Sequence, residues 1–389
     1  MQWNKKQKAA SEAPPAGSLQ RKRRVVVDER GVIDLPFLIL TLILAVIGLV
    51  MLFSASFARA YNDEGNSAFY FRRQAIFAAA GIVAMLFISH LNYQLYQRYA
   101  MLFYGGCVFL LLLVPFIGID AGGAKRWLYI GTNFQPSELA KLGAIFALAN
   151  AMAINREKMS KPFFGILLPG LLLLPVVLLL ALQPHLSAIV IICSVSAFMM
   201  MAGGTKMRYF VVGFLTAAAL IAVLILTKGY ASARISAWRN PTSDAAGDGY
   251  QILQSQYAIG SGGLLGLGFG KGRQKYMYLP EEHNDYIFAI VCEELGYIGA
   301  AAVILLFVML IVRGYWIALH TEDRFAMLTV FGITTLLAMQ VFLNIGVVSN
   351  FLPPTGISLP FFSYGGTALM LQLAQMGIVL GISRWNTNQ

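Results

Sequence analysis

The sequence predicts an all-α polytopic membrane protein, and three observations carry that expectation. Of 389 residues, 58% are hydrophobic and only 12% are charged, far from the balance of a water-soluble domain. Apolar runs of about 18 to 25 residues recur along the chain, each long enough to cross a bilayer as a helix. The runs are continuous rather than alternating, and a spanning segment must close its own backbone hydrogen bonds, so helices are expected and a membrane barrel is not.

Taken in order, about ten spans fit the pattern, near 34–54, 75–90, 100–119, 136–155, 162–182, 185–202, 207–227, 286–312, 326–348 and 363–383. The second is short. The fourth is polar where it starts, and Pro136 suits a first helical turn there. The eighth begins near Tyr286, with Asn284 or Asp285 placed to cap it. Residues 228–285 form the only long loop. No internal repeat stands out. The chain divides into a tail at 1–33, a membrane domain at 34–385 and a C-terminal tail at 386–389.

Lys and Arg placement sets the orientation. With ten spans both termini share a side, and that side collects 17 of the 29 basic residues, eight in the tail and the rest in loops from Arg98 to Arg384. The termini are therefore expected in the cytoplasm and the long loop outside. The tail, with Pro14 and Pro15 among Ala, Ser and Gly, reads as disordered. Its Arg21–Arg24 cluster reads as a topology anchor against anionic lipid, with no nucleic-acid partner. The net charge of +11 follows mostly from this bias. Cys107, Cys193 and Cys292 lie inside apolar runs, which argues against a disulfide framework or a zinc site. The first apolar run is too long and too late for a cleavable signal peptide.

Five polar segments interrupt this pattern. Leu279 to Asp285 crowds Glu281, Glu282, His283 and Asp285 against the start of a span, and ionisable groups at a membrane boundary are costly unless they have a task. A carboxylate there can act as a general base or cation ligand, with His283 as a partner; the bland alternative is a helix cap with solvated acids beside it. Glu138 and Lys141 are three apart on one helix face and can pair, either as a packing ion pair or as part of a cavity. Arg72, Arg73, Lys125, Arg126, Lys271, Arg273 and Lys275 form an external cationic set suited to phosphate, or to snorkelling towards lipid. The glycine-rich run 260–272 lacks the Ser or Thr of a phosphate loop after Gly270-Lys271, and reads as a flexible or tightly turning loop. Leu352 to Thr367, with three prolines and three glycines and with Ser363 in it, is too broken for a helix. It is expected to re-enter the membrane and line a cavity, as scaffold or as substrate contact. Read this far, the residues fit an enzyme acting on an anionic lipid-linked substrate, and they also fit a transporter.

Together these segments resemble the SEDS family, the shape, elongation, division and sporulation proteins. The matching stretches are KRWLYIGTNFQPSELAKL at 125–142, the run from Gly249 to Gly296, and NIGVVSNFLPPTGISLPFFSYGGT at 344–367, in matching order and spacing. Arg234 to Pro241 and the Thr355-Gly356 form look more like the FtsW and SpoVE branch than RodA. The resemblance implies a peptidoglycan glycosyltransferase of the bacterial cytoplasmic membrane that polymerises lipid II into β-1,4 glycan strands. It implies a class B penicillin-binding protein transpeptidase as partner, beside other divisome or elongasome membrane proteins. The family's essential aspartate falls on Asp285, its membrane pair on Glu138 and Lys141, and its cation–Trp motif on Arg126 and Trp127. Arg72, His283 and Ser363 complete the expected substrate contacts.

The expected chemistry has Asp285 take the proton of an acceptor sugar 4-hydroxyl, which attacks the anomeric carbon of the growing chain with inversion. Undecaprenyl diphosphate leaves, its charge offset by Arg126 and Lys141. No cofactor is certain; a divalent cation, Mg or Mn, would be shared between Asp285 and the diphosphate, because a lone aspartate chelates weakly. There are departures. Gln183-Pro184-His185 stands where the family often has Gln-Pro-Asp, so His185 is left off the expected site. Asn284 and Tyr286 replace Thr and Phe around Asp285, and Thr367 replaces a serine. The competing readings are a lipid II flippase and a non-catalytic scaffold that activates a transpeptidase.

Overall fold

The computed structural model describes residues 31–121, 124–129, 131–211, 238–244, 247 and 249–385. Its helices are α1 (Leu35–Glu64), α2 (Phe69–Ile88), α3 (Tyr93–Ile117), α4 (Pro136–Ile154), α5 (Leu168–Leu182, after a π-helical turn at Phe163–Leu167), α6 (Leu186–Ala202), α7 (Tyr250–Gly262), α8 (Ile287–Leu319), α9 (Arg324–Val348) and α10 (Gly366–Ser383). Eight helices among the described residues are long and apolar enough to cross a membrane, and α6 is apolar but shorter, at 17 residues. The span expected at 207–227 lies outside the described residues beyond position 211, as do residues 1–30 and 386–389 of the tails and Arg234. The chain is a helical, multi-pass membrane protein, as composition required.

The bundle has an inside and an outside. Over their apolar stretches α4, α9 and α10 are 67%, 67% and 72% buried, against 22% to 39% for α1, α2, α3, α5 and α8. The outer helices turn Phe109, Phe116, Leu174 and Leu305 away from the protein, which only a lipid surround tolerates on this scale. α2 lies along α10, α3 along α4, and α8 along both α1 and α9. α1 runs three turns past its expected end because nothing breaks it before Gly65, whose φ is +66°.

Two features escaped the sequence pattern. α7 forms inside what reads as loop; its buried positions Ile252, Ser255, Ala258 and Gly262 keep helical spacing, but the surrounding glutamines hide it. A small antiparallel sheet follows α3, with β1 (Ile119–Ala121), β2 (Ala124–Tyr129) and β3 (Asn133–Phe134) in that order. It carries Arg126 and Trp127.

α8 is broken at Gly296 (φ 68°, ψ −171°), and the glycine-rich run docks on the break. The amides of Leu267 and Gly268 donate to the Glu293 and Glu294 carbonyls, and those of Tyr297 and Ile298 donate to the Gly263 and Leu264 carbonyls. A Cβ on Gly266 would stand 2.1 Å from the Glu294 carbonyl oxygen, so only glycine permits the approach. The run is therefore a tight, fixed turn rather than a flexible one. Lys275, one of the external cations read from the sequence, is buried here against Glu294 at 2.7 Å, with Ser54 bonded to both.

The segment between α9 and α10 re-enters the bundle, as its prolines and glycines suggested. Phe361 comes so close to Gly48 that a Cβ there would stand 2.3 Å from the Phe361 carbonyl oxygen. Gly48 lies roughly 20 Å along α1 from its first residue. This irregular backbone sits against protein, where its polar groups find partners.

Candidate functional site

The Asp285 turn is assembled from four elements. Residues 281–286 form a turn ahead of α8 in which the amides of Asn284 and Tyr286 both donate to the Glu281 carbonyl. Glu281 itself is left-handed, at φ +55°, a conformation that costs a non-glycine residue energy and persists only where the surroundings impose it. The re-entrant segment grips the turn from one side. The Ser363 hydroxyl donates to the Asn284 carbonyl at 2.7 Å and accepts from the Leu359 amide at 2.7 Å, and the Tyr364 amide donates to the His283 carbonyl at 2.9 Å. From α9, the Asn344 amide donates to the carbonyls of Asp285 and Ile357, each at 2.7 Å. From α1, Arg59 grips a fully buried Glu282 with two bonds of 2.7 and 2.9 Å.

All these ties fall on the backbone or on neighbours of Asp285. Its carboxylate accepts no hydrogen bond and meets no cation among the described residues, and it does not cap α8, whose cap position is Tyr286, with no side-chain cap bond to the helix start. The helix-cap alternative is thereby removed. Gly356 leaves room beside the carboxylate; a Cβ there would lie 3.1 Å from Asp285 Oδ2. Burial, and after it the charge of Glu281, push the Asp285 carboxyl up to about 7. Glu282 contrasts with it: burial would raise that carboxyl, but His283 and Arg59 more than offset burial and hold it below the ordinary range. His283 is buried and stacks on Tyr70 with ring centroids 5.0 Å apart, its Nδ1 3.7 Å from Glu282.

A second polar group gathers at the start of α4. Lys141, 3% exposed, pairs with Glu138 at 2.7 Å. Arg126 on β2 donates to the Pro184 carbonyl at 2.8 Å and to the Gln183 carbonyl at 3.4 Å, so it fixes the turn between α5 and α6. That turn carries His185, whose Nε2 lies 3.2 Å from the Gln135 side-chain nitrogen. Burial, then Arg126 and Lys141, push the His185 imidazole down to about 3, so it is neutral beside two cations. The sequence reading left His185 aside, yet it stands close to two of the expected residues, Arg126 and Lys141.

The small sheet connects the two groups. The Thr367 hydroxyl donates to the Asn133 carbonyl at 3.0 Å, and Arg73 donates to the Thr132 hydroxyl at 3.5 Å. No hydrogen bond or ion pair joins Asp285 directly to Arg126, Glu138 or Lys141 among the described residues. Arg72 is exposed and, with Arg73, Asn66, Phe69 and Ile76, lines an open groove of about 360 Å³ at the start of α2. Ser363 is committed to the two backbone groups that shape the turn. Nothing local in the sequence announces the Arg59–Glu282 contact, whose partners are 223 positions apart.

Comparison with known proteins gives a consistent answer. Residues 35–388 match the model of the cell cycle protein family that comprises FtsW, RodA and SpoVE. The chain is 39% identical over 357 residues to stage V sporulation protein E of Bacillus subtilis (strain 168), covering 91% of this chain and 97% of that one. It is 40% identical over 354 residues to the probable peptidoglycan glycosyltransferase FtsW of Geobacter sulfurreducens (strain ATCC 51573), covering 90% and 95%. Its fold matches a chain of a peptidoglycan synthase complex, solved for its coordination of polymerization and crosslinking, with a TM-score of 0.78 at 29% identity over 92% of this chain and 99% of that one. It matches the rod shape determining protein RodA of Thermus thermophilus with a TM-score of 0.69 at 28% identity, over 92% and 98%. With fold, motifs and nearly the whole described chain in agreement, the protein belongs to the FtsW, RodA and SpoVE family of cell cycle proteins, the SEDS family.

Proposed function

We propose that this chain is a peptidoglycan glycosyltransferase that polymerises lipid II at the outer face of the bacterial cytoplasmic membrane. The observation that carries the reading is Asp285, a carboxylate clamped through its backbone, without a partner among the described residues, and held near pKa 7. A general base works best when its pKa lies near the working pH. Asp285 takes the acceptor hydroxyl proton as that oxygen attacks the anomeric carbon, and an in-line attack opposite the diphosphate inverts the centre. Lys141 and Arg126 offset the charge growing on the leaving undecaprenyl diphosphate, and Glu138 holds the Lys141 ammonium in place. Arg72 offers a further phosphate contact on its open groove. His283 and Ser363 act on the turn rather than on substrate. The crosslinking complex of the structural neighbour supports a transpeptidase partner here, of the class B penicillin-binding type.

Polymerisation of lipid II by the purified protein with its partner tests this. Wild type should make glycan strands, while Asp285→Ala and Asp285→Asn should fold and lose about a hundredfold or more of that synthesis. Normal synthesis by the folded variants would remove Asp285 from the mechanism. Glycan-free lipid II transport that survives Asp285→Ala would replace the polymerase with a flippase.

A further inference from the structure

Arg59 has no place in the mechanism above, yet the Asp285 turn hangs on it. It lies near the end of α1, 26% exposed, and gives both its bonds to a Glu282 carboxylate with no exposed surface. Glu282 stands three residues before Asp285. The re-entrant segment and α9 hold the turn through the carbonyls of His283, Asn284 and Asp285. On the α1 side the tie is Arg59. Just before these anchors Glu281 is left-handed, so local preference does not hold the turn in shape. An in-place general base tolerates little displacement, since reacting atoms must meet within a few tenths of an ångström of their working geometry.

We infer that Arg59 is a positioning residue for the reaction at Asp285: by fixing Glu282 to α1 it sets where the Asp285 carboxyl stands. The inference rests on the proposed polymerase activity. The molecule contains its own control, because Arg313 grips Asp34 in the same two-pronged way, at 2.7 and 3.0 Å, with Arg313 30% exposed and the carboxylate fully buried. That pair joins α1 to α8 at the other end of α1 and touches no part of the Asp285 turn.

The test uses full-length protein in lipid bilayers with its transpeptidase partner and lipid II. Arg59→Gln should lower kcat by about tenfold or more and leave KM within about twofold. Arg59→Lys, which keeps the charge but loses the fork, should fall between the two. The double variant Arg59→Gln/Glu282→Gln should recover part of the loss, because a buried carboxylate left alone distorts its surroundings more than a neutral amide does. Arg313→Gln should lower Tm to a similar degree and leave kcat per folded molecule unchanged. The inference is overturned if folded Arg59→Gln keeps its kcat, if Arg313→Gln loses kcat equally, or if Arg59→Gln raises KM alone, which would make Arg59 a substrate contact. Wild type that makes no glycan would overturn the activity, and this inference with it; active wild type with an unaffected Arg59→Gln overturns the inference alone.

Discussion

Asp34 and Asp285 are aspartates at opposite ends of α1, and their surroundings are opposites. Asp34 is 1% exposed and fully engaged: its carboxylate caps α1 at the Phe37 amide, 2.9 Å away, and takes three contacts from Arg313 between 2.7 and 3.0 Å. Its own amide donates to Ser383 on α10. It ties the starts and ends of three helices together. Asp285 has comparable backbone anchoring and a carboxylate that accepts nothing from the described residues. A buried charge is cheap only when it is paired and hydrogen-bonded. The end of the bundle whose half-buried carboxylate has no partner among the described residues is the end where chemistry is to be expected, and the difference can be broken experimentally from either side.

The largest effect belongs to removing each carboxylate. Asp285→Asn should cut glycan synthesis by about a hundredfold to ten-thousandfold, the usual worth of a positioned base. The same variant should melt no lower than wild type at pH 8, since it removes a charge the fold disfavours. Asp34→Asn should do the reverse, costing about 3–5 kcal/mol of stability by leaving Arg313 without its counter-charge, with activity per folded molecule retained. Paired melting curves and polymerisation rates read both. Two variants that behave alike would dissolve the distinction.

The pH dependence follows from the Asp285 value of about 7, raised from 3.8. A base must be ionised, so activity should fall as the pH drops through about 7. Stability should move the other way. The folded state binds this proton more tightly than the unfolded chain, so this group destabilises the fold most above pH 7, and the penalty shrinks as the pH falls towards 4. In Asp285→Asn that contribution should be absent from the stability profile. A rate profile flat from pH 6 to 8 would remove the base assignment.

How much of this was legible in the sequence depends on the range of the interaction. Long apolar runs declare themselves, so the span helices and the outlying α1 start at Asp34 were readable. Glu138 and Lys141 were readable too, because three residues apart on a helix is a local relation. The glycines of 260–272 were visible, but their reason was not, since it lies in the carbonyls of α8 across a broken helix. His185 was set aside as a departure from a pattern, and only the fold shows it beside Gln135 and Lys141. A middling effect tests the glycine account. Gly266→Ala, whose Cβ would meet the Glu294 carbonyl, should cost about 2 kcal/mol or more, whereas Gly270→Ala, equally left-handed at φ +77° but with open space around it, should cost about 1. Equal Tm losses would mean that backbone strain alone, and not the approach to α8, demands glycine there.

The smallest effect sharpens the comparison most, because it asks whether the Asp285 end is tuned as well as unpaired. Glu281 and Glu282 are adjacent, yet among the described residues only Glu282 has a cation in ion-pair contact. Glu281 is exposed, bonds Asn284 Nδ2 at 2.5 Å, and leaves its negative charge to act on Asp285. Glu281→Gln keeps an oxygen to accept from Asn284 and removes the charge. The Asp285 carboxyl should then ionise more easily, and the acid limb of the rate profile should move to lower pH by about half a unit, with the plateau rate little changed. Because the charge is exposed, added salt should shrink the difference between variant and wild type. A limb that stays in place would assign the raised value to burial alone; a limb that moves up would mean that Glu281 stabilises the ionised form, and that the two ends of α1 differ less in their electrostatics than their contacts suggest.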